Sequence, residues 1–128
     1  MVELKELSKD TDGMATYDYL VNHVPNCLEE MDYLTENLMR VDTTGQFLAS
    51  SARYLASINR ELFDKWIGRL IEGAIDKDRE RRYIWSLLKA IWGEDYLERV
   101  DELNSTDDNF RRVFKRVYPE KKKMTVTV

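Results

Sequence analysis

Apolar residues recur three and four positions apart along most of this chain, which is the spacing of residues on one face of an α-helix. The first such stripe lies at Met14, Tyr17, Val21 and Val24. Proline follows at position 25, and proline is tolerated at the first position of a helix, where its missing N–H has no partner to lose. We therefore predict a second helix that begins at Pro25. Its apolar stripe comprises Cys27, Met31, Leu34, Leu38 and Val41.

A longer apolar stripe follows between residues 47 and 74. The segment just before it, Asp42 to Gln46, is rich in turn-forming residues, and Thr43 with Gln46 three positions later fits a capping box that begins a helix. No proline interrupts the pattern until residue 119. The pattern therefore predicts either one long helix from 45 to 75 or two helices with a break near Asn59.

The segment 80–92 is apolar around most of its helical circumference. Its polar line consists only of Arg79, Arg82, Ser86 and Lys89. A helix of this kind belongs in the middle of a core, so we predict a buried central helix near 80–92. The last helix begins among the N-cap residues 104–108 and ends at Pro119. The predicted fold class is all-α, an irregular bundle of about five or six helices.

Composition divides the chain into three parts. Residues 1–13 are predicted to form a flexible N-terminal arm that ends in turn-forming Thr11-Asp12-Gly13. Residues 14–118 are predicted to form a single helical domain. Residues 119–128 form a basic tail with no strand partner elsewhere in the chain, and we predict that this tail is frayed.

The bulk composition favours one folded domain, because 43% of the 128 residues are apolar and 11% are aromatic. A single cysteine cannot form a disulfide within the chain, so nothing indicates an oxidising compartment. The N-terminus lacks the apolar run of a signal peptide, and no stretch approaches the roughly 18 apolar residues of a membrane span. We therefore expect a cytoplasmic protein with no membrane partner.

Charge is unevenly distributed, although the formal net charge is only −4. Residues 1–52 carry three basic and ten acidic side chains, whereas residues 110–123 carry seven basic side chains and one acid. Such asymmetry favours contact with charged partners or self-association. The predicted contact residues, for a protein partner or for phosphates, are Arg111, Arg112, Lys115, Arg116, Lys121, Lys122 and Lys123.

His23 and Cys27 are the only histidine and the only cysteine, and they lie four positions apart. A structural zinc site takes four ligands, mostly Cys and His, so this pair does not supply one. Pro25 separates the two residues from one continuous helix, and Cys27 falls on the apolar stripe, where a free cysteine packs as a small hydrophobe. We assign Cys27 to the core and His23 to the surface or a helix junction, and we predict no metal and no cofactor.

Recognisable catalytic motifs are absent from the sequence. There is no glycine-rich phosphate loop, no GxSxG nucleophile motif and no Glu-x-x-His element of a di-iron bundle. One group of acidic residues is interpreted as a solvated face rather than a cation site: Asp18, Glu29, Glu30, Asp32 and Glu36. An enzyme with an unrecognised carboxylate or Cys27 site is therefore the weakest functional hypothesis.

The favoured hypothesis is a small non-enzymatic interaction or accessory protein. It would bind a protein partner or associate with itself through its acidic N-terminal half and its basic C-terminal helix. The alternative is a nucleic-acid-binding protein that uses the basic helix and tail, residues 111–123. The three tryptophans, at positions 66, 85 and 92, are assigned to core packing.

Overall fold

The computed structural model describes residues 4–24, 26 and 28–119, and within these ranges the protein is all-α without a strand. The α-helices are α1 (Met14–His23), α2 (Met31–Val41), α3 (Gln46–Asn59), α4 (Asp64–Lys77), α5 (Leu87–Trp92), α6 (Val100–Thr106) and α7 (Asp108–Val117). Short 3-10 helices cover Leu4–Lys9, Leu28–Glu30, Ile84–Ser86 and Tyr96–Arg99. The predicted fold class is therefore confirmed.

The first two helices are antiparallel, as two side-chain hydrogen bonds between them show. Tyr19 Oη donates to Glu30 Oε2 at 2.9 Å, and Asn37 Nδ2 donates to Thr16 Oγ1 at 2.9 Å. The described chain differs from the predicted start at Pro25, because Asn26 lies in a turn and α2 begins at Met31. Pro25 itself lies outside the described residues.

The third helix runs parallel to the first. Tyr54 Oη donates to Val21 O at 3.2 Å, and a Cβ atom placed on Gly13 would lie 3.1 Å from the Phe47 ring. Of the two alternatives for residues 45–75, the structure shows two helices with a break near Asn59, since α3 ends at Asn59 and its Oδ1 accepts the N–H of Leu62 at 3.0 Å. The apolar stripe from 47 to 74 thus belongs to two antiparallel helices.

The fourth helix lies beside α2 and runs in the same direction. Trp66 Nε1 donates to Asp32 Oδ1 at 2.8 Å near the start of both helices, and Lys77 Nζ donates to Met39 O near their ends. Helices α1 to α4 therefore alternate in direction. The segments 10–13, 42–45 and 78–83 meet at one end of this four-helix unit, which we call the turn end. Residues 24, 26 and 28–30 and the segment 60–63 lie at the opposite end.

Three aspartates shape the turn end. Each comes three residues before a residue in the left-handed region, and each accepts backbone N–H groups from the segment that follows. The aspartates are Asp10, Asp42 and Asp78, and the left-handed residues are Gly13 (φ 104°), Gly45 (φ 87°) and Arg81 (φ 60°). We call these segments the aspartate turns.

Asp42 begins α3. Its Oδ1 accepts the N–H of Thr44 and Gly45 at 3.0 and 2.9 Å, and its Oδ2 accepts those of Phe47 and Leu48, both at 2.9 Å. The predicted capping box from Thr43 is wrong, because the Gln46 N–H that Thr43 would accept lies 3.3 Å from Thr44 Oγ1 instead. The carboxylate is fully buried, so it stabilises the start of the helix from inside the fold.

Asp78 determines where the next helical segment begins. Its carboxylate accepts the N–H of Arg82, Tyr83 and Ile84 at 2.9, 2.7 and 2.8 Å, which holds residues 79–83 in a loop. The central helix predicted near 80–92 is therefore shorter than expected, with α5 beginning only at Leu87. Its core contribution agrees with the prediction, since the buried residues include Ile84, Leu87, Leu88, Ile91 and Trp92.

The last helix completes the core and points toward the turn end. Asp107 caps it by accepting the N–H of Phe110 at 3.1 Å, in agreement with the predicted start. Asn109 Nδ2 donates to Gly68 O at 3.2 Å, and Arg116 Nη1 donates to Ile75 O at 2.7 Å, so α7 runs parallel to α4. The C-terminus of α7 consequently lies at the turn end.

Part of the predicted N-terminal arm packs against the four-helix unit. Leu7 is buried, and its carbonyl accepts a hydrogen bond from Asn37 Nδ2 at 2.8 Å. Arg40 Nη2 donates to Ser8 O at 3.1 Å. Residues 4–13 therefore belong to the packed structure rather than to a flexible arm, because an apolar side chain and two carbonyls find partners there. Residues 1–3 lie outside the described residues.

Asp10 gives the fold an acid-sensitive contribution. Burial alone would raise the pKa of its carboxyl, but hydrogen bonds from Thr16 Oγ1, Thr16 N–H, Gly13 N–H and Asp12 N–H outweigh burial and lower the pKa below its usual 3.8. A carboxyl with a lowered pKa in the folded state stabilises the fold above its unfolded-state pKa. That contribution is lost as the pH falls through the folded-state pKa.

We therefore expect Asp10→Asn to be less stable than the wild type at pH 7, and the difference to shrink as the pH falls from about 4 toward 2. Urea unfolding midpoints measured across this range test the expectation. Asp18→Asn is the control, because Asp18 is exposed in the middle of α1. A difference between the wild type and Asp10→Asn that stays constant from pH 7 to pH 2 would contradict this role.

Candidate functional site

Basic side chains from two distant parts of the sequence meet at the turn end. Arg116 Nη1 donates to Ile75 O at 2.7 Å and lies 3.4 Å from Asp78 O, and Arg81 Nη1 donates to Arg116 O at 3.3 Å. These bonds hold the C-terminus of α7 against the third aspartate turn. The resulting basic surface comprises Lys77, Arg79, Arg81, Arg82, Lys115 and Arg116.

Members of the basic surface differ in how far they are already engaged. Arg81 and Arg116 donate to backbone carbonyls, and Arg82 Nε lies 2.7 Å from Glu80 Oε2. Arg79 and Lys115 are exposed, and neither side chain forms a hydrogen bond or ion pair with another described residue. Arg79 and Lys115 are therefore the cations of this surface best placed to meet an incoming anion.

The structure brings only part of the predicted contact set together. Lys115 and Arg116 lie on the basic surface, whereas Arg111 pairs with Asp108 one turn earlier on α7 and Arg112 is half-buried. Lys121, Lys122 and Lys123 lie outside the described residues. The helix that was predicted to act alone is thus joined by a second basic segment, residues 77–82.

A cavity of about 310 Å³ opens between the second and third aspartate turns. The two turns touch directly, because a Cβ atom on Gly45 would lie 3.0 Å from Asp78 Cβ. The cavity is lined by Thr43, Thr44, Lys77, Asp78, Arg79, Glu80, Arg82 and Tyr83. Both oxygens of Asp78 accept backbone N–H groups and Glu80 pairs with Arg82, which leaves Arg79 as the lining cation without an internal partner among the described residues.

Lys77 contributes a partly desolvated ammonium group to this cavity. Burial lowers its pKa, and the nearby carboxylates of Asp42 and Asp76 oppose this effect without cancelling it. Its Nζ donates to Met39 O, which fixes the side chain against α2. Binding of an anion here would favour the charged ammonium and so oppose the effect of burial.

Trp85 is exposed next to the basic surface, contrary to its predicted place in the core. It retains 59% of its accessible surface, whereas Trp92 retains 6%. The Trp85 indole Nε1 donates to Arg82 O at 2.7 Å, which ties the ring to the loop that Asp78 holds. The prediction failed because Trp85 lies on the 3-10 turn Ile84–Ser86 and not on α5, so the spacing of seven residues does not place it on one helical face with Trp92.

Acidic residues of α2 are partly matched within the chain. Asp32 Oδ1 lies 3.9 Å from Lys65 Nζ and accepts the indole N–H of Trp66, and Glu36 pairs with Arg69. These contacts join α2 to α4. Part of the acidic charge that was predicted to form a contact face is therefore paired with basic residues of α4.

His23 lies at the end of α1, as predicted for a helix junction. Its ring stacks on Tyr19 with centroids 3.8 Å apart, and its Nδ1 lies 2.7 Å from Tyr19 O. Cys27 lies outside the described residues, so its predicted place in the core and any chemistry of its thiol stay predictions. Among the described residues, no three His, Cys, Asp or Glu side chains come together in the manner of a metal site.

Comparisons with known proteins supply no further assignment: no family model matches the chain, and no curated protein or solved structure is significantly similar to it. Within the described part of the chain, no helix has both the length and the apolar character needed to cross a membrane.

Sequence reasoning missed the arginine-rich loop and the exposed tryptophan. The run Arg79-Glu80-Arg81-Arg82 was a visible signal, because three basic residues within four positions are unusual at the start of a buried helix. The helical interpretation of 80–92 placed these residues on a polar line instead. Their position beside α7 follows from the topology, which the sequence pattern alone does not specify.

Proposed function

We propose that this protein is a non-enzymatic binding protein that holds nucleic acid on its basic surface. The observation that carries this proposal is the convergence of cations from residues 77–82 and from the end of α7 at one end of the fold. Phosphate contacts by Arg and Lys supply most of the affinity of nucleic-acid-binding proteins. Arg79 and Lys115 are exposed and have no side-chain partner among the described residues, so they are available for such contacts.

The net charge of −4 is compatible with this proposal. Charges interact mainly within a Debye length, which is about 8 Å at physiological ionic strength. The acids of α2 lie beside α4, where Asp32 and Glu36 meet Lys65 and Arg69. At the turn end Glu80 pairs with Arg82, and the carboxylates of Asp42 and Asp78 accept backbone N–H groups. No described residue engages the side chains of Arg79 and Lys115, so a phosphate would bind them without displacing an internal partner.

Contact with a protein partner, or self-association, stays a prediction. It draws less support from the fold, because the acids of α2 that were expected to form one contact face already pair with α4. An acidic protein segment would meet the same cations as a phosphate backbone does. The exposed indole of Trp85 beside the arginines is the feature that favours nucleic acid, since bases stack on aromatic rings.

The proposal predicts salt-dependent binding that depends on Arg79 and Lys115. Removal of both charges in Arg79→Gln/Lys115→Gln should weaken binding of a single-stranded oligonucleotide by about tenfold or more at low salt. The slope of log affinity against log salt concentration should fall by about 1.4, since each phosphate contact on a single strand contributes about 0.7. Fluorescence anisotropy with a labelled oligonucleotide between 50 and 200 mM salt measures both quantities.

The matched control is Arg53→Gln/Lys65→Gln. It removes the same number of cations from exposed positions on α3 and α4 that lie away from the turn end. We expect this control to keep the wild-type affinity to within about twofold. Equal losses in the two double variants, or wild-type binding that does not respond to salt, would count against a specific basic surface.

A further inference from the structure

Trp85 is held in place although its ring faces solvent. Trp85 comes directly after Arg82, Tyr83 and Ile84, whose backbone N–H groups donate to the Asp78 carboxylate. The bond from its indole Nε1 to Arg82 O fixes the ring to the same loop. The ring retains 59% of its accessible surface, so a face of the indole is accessible to a ligand next to the cations of the loop.

The cavity between the aspartate turns lies next to this ring along the chain. Arg82 and Tyr83 line the cavity, Trp85 comes two residues after Tyr83, and its indole bonds to Arg82 O. Thr43 and Thr44 also line the cavity, and because Thr44 Oγ1 lies 3.4 Å from Asp42 Oδ1, the hydroxyl of Thr43 is the one that can donate to a phosphate oxygen. The hydrogen bond to Arg82 O thus links an aromatic ring to a residue that lines a recess with cations.

We propose that this end of the protein binds single-stranded rather than duplex nucleic acid, with an unpaired base stacked on Trp85 and a neighbouring phosphate in the cavity between Thr43 and Arg79. The inference rests on the proposed function and names its substrate class. In a duplex each base is stacked between its neighbours and its face is inaccessible to an indole. A single strand exposes base faces, and every base has a face that can stack on an aromatic side chain.

The test compares three anionic ligands: a labelled 15-nucleotide thymidine strand, a duplex of the same length and a polyglutamate peptide. At equal salt we expect the single strand to bind the wild type at least about tenfold more tightly than the duplex. Polyglutamate, which has charges but no bases, should bind more weakly than the single strand. Binding of the single strand should also quench Trp85 fluorescence.

Two substitutions at position 85 separate stacking from structure. Trp85→Leu should lower the affinity for the single strand about tenfold, because stacking on an aromatic side chain is worth about 1–3 kcal/mol per base. Trp85→Phe should keep most of the affinity, although it also loses the bond to Arg82 O, and should abolish the quenching that arises from Trp85. Neither substitution should change binding of the duplex. Both side chains are exposed, so we expect both variants to retain the wild-type unfolding midpoint to within a few degrees.

Different results overturn different statements. If Trp85→Leu binds the single strand as tightly as the wild type while binding remains salt-dependent, the stacking inference is wrong and the basic surface stands. Equal affinity of the wild type for polyglutamate and the single strand would also overturn the inference, because recognition would then require no base. If the wild type binds none of the nucleic acids at 50 mM salt, both the inference and the proposed function are wrong.

Discussion

Asp42→Ala should destabilise the protein by about 3 kcal/mol. The Asp42 carboxylate is fully buried and accepts four backbone N–H groups, those of Thr44, Gly45, Phe47 and Leu48. Loss of the acceptor leaves buried donors without partners, and each such donor costs about 1–3 kcal/mol when no water replaces the acceptor. Water can replace the lost acceptor at the exposed Thr44, so the expected loss of stability is smaller than the sum of the costs of the four N–H donors.

Urea unfolding followed by circular dichroism measures this difference. Asp42→Asn should fall between the wild type and Asp42→Ala, because its one carbonyl oxygen retains about half of the acceptor capacity. Asp76→Ala serves as the matched control, since Asp76 is exposed in the last turn of α4 and should change stability by less than about 0.5 kcal/mol. A loss below about 1 kcal/mol for Asp42→Ala would show that the aspartate turn is not a principal support of α3.

Gly45→Ala should destabilise the protein by roughly the same amount through a different mechanism. Gly45 has a φ of 87°, a conformation that costs an alanine about 1–2 kcal/mol. An added Cβ would also lie 3.0 Å from Asp78 Cβ and 3.2 Å from Ala74 O, where neighbouring atoms must shift. Overpacking of this kind adds about 1–3 kcal/mol, so the total is expected near 3 kcal/mol.

Gly68→Ala is a control with the opposite sign. Gly68 lies inside α4, and an added Cβ would meet nothing closer than Asn109 Nδ2 at 4.0 Å. Since alanine is favoured over glycine within a helix by up to about 1 kcal/mol, this variant should be slightly more stable than the wild type. The thermal unfolding midpoints of Gly45→Ala and Gly68→Ala, measured side by side, test both expectations. If both alanine variants shift the midpoint in the same direction, the close packing at Gly45 does not control stability.

Periodicity predicted those parts of the fold in which apolar side chains decide the structure. The all-α class and the start of α7 follow from stripes and capping residues that act locally, whereas the same patterns left open whether a break occurs near Asn59. The aspartate turns escaped this reasoning, because their acceptors bind N–H groups up to six residues ahead. A local signal did exist, since Asp-Thr-x-Gly occurs at both 10–13 and 42–45.

Only the α7 part of the basic surface could be predicted from the sequence. The cations of α7 are visible as a cluster in the sequence, but the contact of Arg116 with Arg81 depends on the parallel arrangement of α4 and α7. That arrangement depends on contacts between residues about forty positions apart, such as Asn109 with Gly68. No pattern confined to one helix contains this information.

Arg81 stands where the other two aspartate turns carry glycine. Its φ of 60° is unfavourable for any side chain with a Cβ atom, so glycine at this position would be the more stable choice for the backbone. The chain instead carries a guanidinium that reaches Arg116 O and adds a positive charge beside α7. The third turn therefore combines a backbone conformation that glycine would adopt at lower cost with a hydrogen bond that joins the loop to α7, so Arg81→Gly changes stability through two opposing effects.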